Sequence, residues 1–257
     1  MTAGGPKNSG QTTIGIIGFG RFGRLMTRYL ADDFRVCVYD SGTNRDGIRA
    51  LGAAAVSLET ACRRSFVILA VPISALRSTL ESIRPHLKDG TTVVDVCSVK
   101  TYPVRWMREH LPETVSILAT HPMFGPDSAA VSLKGRKIVL CPERIETTVY
   151  EKVRQYLAAK GLTVIETTAE RHDREISISL AMTHFIGRTL SEFGAAPLEI
   201  DTEGYQRLLH VLGVVQNDTW QLFVDMNTYN PYAREQRRRL LAAAERISKR
   251  IADEPPS

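Results

Sequence analysis

No uninterrupted apolar run in this chain of 257 residues approaches the roughly 18 that a membrane-spanning helix needs. The opening MTAGGPKNSGQTT lacks the basic-then-apolar layout of a secretion signal, so a cytoplasmic protein without membrane association is expected. Cysteine is scarce. Cys37, Cys62, Cys97 and Cys141 form no C-x-x-C pair and no metal-ligand spacing, so neither disulfides nor a metal site is expected. Repeats and low-complexity tracts are missing, and only the first dozen residues and the closing Pro-Pro-Ser read as mobile. What remains, 43% hydrophobic and 24% charged, is an ordinary globular composition that excludes a disordered or collagen-like chain.

The net charge of +5 is local. Seven basic residues (Arg234, Arg237, Arg238, Arg239, Arg246, Lys249, Arg250) face Glu235 and Glu245 in one stretch, which accounts for the whole surplus. No aromatics interleave it, so a solvated or subunit-facing helix is the expectation and nucleic acid is not.

Thr13 to Ile17 is a short apolar, β-branched run, followed by GFGRFG and then by RLMTRYLADD with helical apolar spacing. The pattern repeats. RVCVYD at 35–40 is a second strand ending in an acid, FVILAV at 66–71 precedes PISALRSTLESI, and TTVVDV at 91–96 precedes SVKTYPVRWMREHL. ILAT (117–120), KIVL (137–140) and TVIETT (163–168) extend the series, with a helix across 145–160. Buried strands alternating with helices predict a parallel sheet covered on both faces. After about residue 168 the strands stop, and three long helical stretches follow. The fold class is therefore α/β: an N-terminal Rossmann-type dinucleotide-binding domain over 1–168 and a C-terminal all-helical domain over 169–257. A helical segment of about 90 residues with more apolar face than it can bury internally suggests a homodimer.

Gly18-Phe19-Gly20-Arg21-Phe22-Gly23 matches G-x-G-x-x-G between a strand and a helix, the context that gives the motif meaning. Gly18 permits a tight turn, Gly20 lets a pyrophosphate approach the backbone, and Gly23 allows close helix packing; the helix amino end favours phosphate. Asp40 ends the second strand, where a carboxylate accepts ribose hydroxyls and repels a 2′-phosphate. NAD is favoured, and NADP stays open because Arg45, Ser41 and Thr43 lie just beyond. Val71, closing the FVILAV strand, is a further cofactor-contact candidate.

Two segments stand at later strand ends, where open parallel sheets place ligands: Asp95-Val96-Cys97-Ser98-Val99-Lys100 and Thr120-His121-Pro122-Met123-Phe124-Gly125-Pro126-Asp127-Ser128. Both closely resemble the prephenate and arogenate dehydrogenase family of tyrosine biosynthesis. The resemblance continues through Glu170-Arg171-His172-Asp173, Leu180 to Arg188 and Asp201-Thr202-Glu203-Gly204-Tyr205, covering nearly the whole chain after Thr13. It implies an NAD(P)-dependent oxidoreductase acting on a cyclohexadienol with a ring carboxylate: hydride leaves C4, the hydroxyl becomes a carbonyl oxygen, and CO2 leaves as the ring becomes aromatic. His121 matches the catalytic histidine that takes the hydroxyl proton, a role suited to imidazole. Ser98 matches the serine beside that hydroxyl; read alone, it could equally cap a helix. Lys100 is expected to orient or attract the anionic substrate, Gly125 with Asp127 and Ser128 to shape the substrate loop, and Cys97 to fill space. His172, near a helix start, is the substrate-site candidate of the helical domain, with His184 a packed or interface residue.

Prephenate carries a keto acid and arogenate an amino acid, so an acceptor near the ammonium separates them. Gln216 to Phe223 with Thr228-Tyr229-Asn230 resembles the plant-type arogenate dehydrogenases, and Asp218 falls on their specificity aspartate. Asp225 stands where the prephenate-specific branch has an arginine, although a register shift could supply Arg188 or Arg207 instead. The chain is expected to depart from plant enzymes in having no transit segment and departs from them in carrying Asp40, and no mutase or tyrosine-sensing domain is expected in its length. Two other readings compete. A non-enzymatic NAD(P)-sensing module leaves His121 and Ser98 idle, and a β-hydroxyacid dehydrogenase needs a lysine that residues 173–191 do not contain.

Overall fold

The computed structural model describes residues 12–42 and 44–254. The opening segment, Thr43 and the Pro-Pro-Ser end lie outside the described residues. The chain divides after Ala169 into two compact units.

The first unit holds β1 (Thr13–Ile17), α1 (Arg21–Ala31), β2 (Arg35–Tyr39), α2 (Arg45–Ala50), β3 (Ala54–Ala55), α3 (Leu58–Cys62), β4 (Phe66–Leu69), α4 (Ile73–Ile83), β5 (Thr92–Asp95), α5 (Thr101–His110), β6 (Ser116–Pro122), β7 (Lys137–Arg144), α6 (Thr147–Ala159) and β8 (Thr163–Glu166). The strands form one sheet in the order β3-β2-β1-β4-β5-β6-β7-β8. β1 through β4 to β6 are parallel, as expected, because each crossover is a helix that covers a face. α4 shows why: Ile73, Leu76, Leu80 and Ile83 make one buried stripe. Each of these side chains contributes roughly 1.5–3 kcal/mol by leaving water.

The purely parallel expectation is corrected at one edge. β7 runs antiparallel to β6, pairing His121 with Val139, and β8 is parallel to β7. No helix separates β6 from β7, so the chain returns beside itself in the opposite direction. The order of connection reverses at β1 and β4, which places a ligand crevice outside the carboxyl ends of those strands.

The second unit is helical: α7 (Ala169–Ser179, beginning one residue before the division), α8 (Ala181–Phe193), α9 (Glu203–Gln216), α10 (Trp220–Thr228) and α11 (Ala233–Asp253). Two of the three long stretches read from sequence are broken. The first breaks at Leu180, where Ser177, Ser179 and Thr183 turn their hydroxyls back onto the carbonyls of Arg174, Glu175 and Ser179, at 2.7, 3.0 and 2.7 Å, and loosen the ladder. The second breaks at Asn217-Asp218-Thr219. Thr219 caps α10 by accepting the Leu222 N–H at 3.1 Å, which leaves Asp218 in the turn between two helices.

Candidate active site

The glycine turn leads from β1 into α1. Gly18 has φ +102°, and a Cβ there would sit 2.4 Å from the Ala70 carbonyl oxygen and 3.2 Å from Val71. A Cβ on Gly23 would lie 2.3 Å from the Gly18 oxygen, so helix and strand approach only because that side chain is missing. Gly20, in contrast, faces open space, with no neighbouring atom within 4 Å of a Cβ built on it. Among the described residues no side chain caps α1. Its first N–H groups therefore offer the donors and dipole end that a pyrophosphate fits. Asp40 closes the cradle: its carboxylate accepts the Phe19 N–H at 2.7 Å and the Gly42 N–H at 2.8 Å. A carboxylate fixed there suits ribose hydroxyls, so the residues fit a dinucleotide.

At the end of β5, Asp95 and Lys100 form an ion pair with both side chains fully buried. The Lys100 ammonium also donates to the Thr120 carbonyl, and Thr120 returns its hydroxyl to the Asp95 carbonyl at 2.7 Å. This cross-brace locks the ends of β5 and β6 together. Lys100 is thus fully buried, with its ammonium engaged by Asp95 and by the Thr120 carbonyl. His121 follows Thr120 and is 5% exposed. Ser98 does not cap a helix, because the capping position of α5 is Lys100. Its hydroxyl is buried and, among the described residues, without a hydrogen-bond partner. Such a group needs a partner that the described residues do not provide. Gly125 anchors the next loop, its N–H reaching the Ser128 hydroxyl at 3.0 Å and its carbonyl accepting the Ala129 N–H at 3.0 Å.

In the helical unit, His172 is buried with Nδ1 2.8 Å from Asp173, itself fully buried. Asp218 meets the other histidine. His184 Nε2 lies 3.7 Å from the Asp218 carboxylate, and Arg188 donates to the Asp218 carbonyl while its guanidinium stands 5.9 Å from the Trp220 ring centre. His184 Nδ1 and Arg188 Nε are buried without partners among the described residues. Burial holds the His184 pKa below its ordinary value, against the pull of Asp218 and with a smaller push from Arg188. The imidazole is therefore neutral near pH 7 and does not itself balance the Asp218 charge, while the Arg188 guanidinium bonds the backbone carbonyl of the same residue. The sequence reads His184 as a packed or interface residue and Arg188 as a register alternative for the ring carboxylate; the structure brings both to Asp218. The signal was the spacing of His184 and Arg188, one helical turn apart on one face. Of the possible arginine substitutes, Arg207 is spent on Glu203 at 2.6 Å on the surface of α9, and Asp225 is buried with Gln221 at 2.6 Å.

Among the described residues no helix is long and apolar enough to cross a membrane, and no group of three or more His, Cys, Asp or Glu could hold a metal. Residues 35–166 match the family model described as the prephenate dehydrogenase nucleotide-binding domain, and residues 189–255 match that of a TYRAAT1-like C-terminal domain. Arogenate dehydrogenase 2, chloroplastic, of Arabidopsis thaliana is 31% identical, over 95% of this chain and 71% of its own length. Arogenate dehydrogenase 1, chloroplastic, of the same plant is 30% identical over 98% of this chain, which spans only 41% of that longer protein. Among solved structures, prephenate dehydrogenase from A. aeolicus, in complex with hydroxyphenyl propionate and NAD+, shares the fold at a TM-score of 0.74 and 20% identity, covering 96% of this chain and 94% of its own.

Proposed function

From the premise that the chain belongs to the prephenate and arogenate dehydrogenase family, we propose that it converts L-arogenate to L-tyrosine by oxidative decarboxylation. The observation that carries the choice of arogenate is Asp218: a carboxylate held in a helix–helix turn beside a neutral histidine suits an ammonium. Prephenate, the alternative substrate, offers no cation there. The bound nicotinamide supplies the acceptor for hydride from C4 of the ring. His121 takes the C4 hydroxyl proton, and the unpartnered Ser98 hydroxyl bonds the same oxygen. The electrons of the ring–carboxylate bond then enter the ring as CO2 leaves. Lys100 and Asp95 hold the strand ends that carry Ser98 and His121, Gly125 shapes the loop, and His172 stands as a helical-unit site residue.

NAD is the cofactor this reading favours, because Asp40 is fixed by two backbone N–H groups at the end of β2. Gly18, Phe19, Gly20, Arg21, Phe22, Gly23 and Val71 complete its cradle. Exposed Phe193, Val214, Trp220, Leu241, Ile247 and Ile251 on the helical unit support a homodimer through that unit. Cys37, Cys62, Cys97 and Cys141 form no disulfide, which suits the cytoplasm.

Asp218→Asn tests the substrate assignment. Losing a charge-assisted hydrogen bond is worth about 1.5–3 kcal/mol, so kcat/KM for arogenate falls by at least about ten-fold while that for prephenate changes by less than about three-fold. Equal losses on both substrates would remove Asp218 from ammonium recognition.

A further inference from the structure

The loop that follows β6 is laid along one stripe of α1. Arg21 and Phe22, and Arg28 and Tyr29 two turns later, share a helix face. Arg21 Nη2 donates to both Asp127 oxygens, at 2.7 and 2.8 Å. The Phe22 and Phe124 rings lie 6.3 Å apart. Arg28 Nη2 donates to the Ala130 carbonyl at 2.7 Å, and the Tyr29 hydroxyl to the Ala129 carbonyl at 2.8 Å. The helix whose amino end fits a pyrophosphate therefore also carries the loop attached to His121.

Arg21 is the joint. It is the first residue of α1, at the positive end of the helix dipole, with no acid in the first turn. A cation there is unfavourable unless an anion faces it. Asp127, 106 residues away in sequence, supplies one. The pair is 45% and 60% exposed, so it stabilises the fold little. Its placement matters more than its strength. A guanidinium carries five N–H donors in a fork and can serve two anions together.

We infer that Arg21 and Asp127 are positioning residues that make the 123–130 loop depend on the cofactor: a dinucleotide diphosphate and the Asp127 carboxylate share the Arg21 guanidinium, so that cofactor binding steadies the loop and strengthens binding of the cyclohexadienol. The inference rests on the dehydrogenase reading above. The coupling is reciprocal, as binding linkage requires.

Hydrogen–deuterium exchange of the 123–131 segment in the intact protein, with and without saturating NAD+, reads the coupling without any turnover. NAD+ slows exchange in the wild type by about three-fold or more, and Asp127→Asn, which still binds NAD+, loses that slowing. Equal slowing in both proteins, or none in the wild type, overturns the inference. Kinetics give a second reading: at saturating NAD+, Asp127→Asn raises the substrate KM by about five- to ten-fold and lowers kcat by less than about two-fold. Arg21→Ala combined with Asp127→Asn raises that KM no further than the worse single variant, whereas multiplied effects contradict a shared device. If neither arogenate nor prephenate is turned over, the dehydrogenase reading fails while the exchange result still decides the coupling.

Discussion

His121→Asn lowers turnover by about 100-fold or more, the size of effect expected when a positioned general base is lost. Asparagine keeps a polar side chain of similar bulk at the end of β6 but cannot take up the proton of the C4 hydroxyl. The glycine turn and Asp40 belong to β1, α1 and β2, so NAD+ affinity stays within about three-fold of wild type. Steady-state rates and calorimetric titration of NAD+ separate the two quantities. Turnover within about ten-fold of wild type would take His121 out of the mechanism.

Lys100→Met lowers the stability of the nucleotide-binding unit by about 3–5 kcal/mol, the usual consequence of removing one member of a buried ion pair. Asp95 would keep its Cys97 N–H contact at 2.9 Å, while its charge would lie buried and uncompensated. The Thr120 carbonyl would lose its ammonium donor as well. Adding Asp95→Asn recovers part of the loss, because it removes the uncompensated charge without restoring the brace. Urea denaturation of the single and double variants measures both effects. A single-variant loss below about 1 kcal/mol would show that the brace is not structural.

Much of this was legible along the chain. The β1-to-α1 turn, the acid at the end of β2 and the strand ends carrying Ser98 and His121 are local patterns, and local sterics fixed them. The direction of β7 was not legible, since KIVLCPER is a buried apolar run whichever way its neighbour points. β3 has only two residues, too few for any periodicity, and the short α2 and α3 beside it escaped notice for the same reason. The burial of Lys100 was not legible, because lysine is almost never fully buried and the acid that makes burial tolerable lies on the other side of a turn. The contacts joining His184 to Asp218 and Arg21 to Asp127 span 34 and 106 residues, and no spacing rule reaches so far.

The measurement that bears most directly on the account is the initial rate of reduced nicotinamide formation by the purified protein, for arogenate and prephenate each paired with NAD+ and NADP+. The account predicts that arogenate with NAD+ is fastest, by at least about ten-fold in kcat/KM over either exchange of substrate or cofactor. Prephenate in the lead would contradict the assignment of Asp218, NADP+ in the lead that of Asp40, and silence in all four pairings the dehydrogenase activity itself.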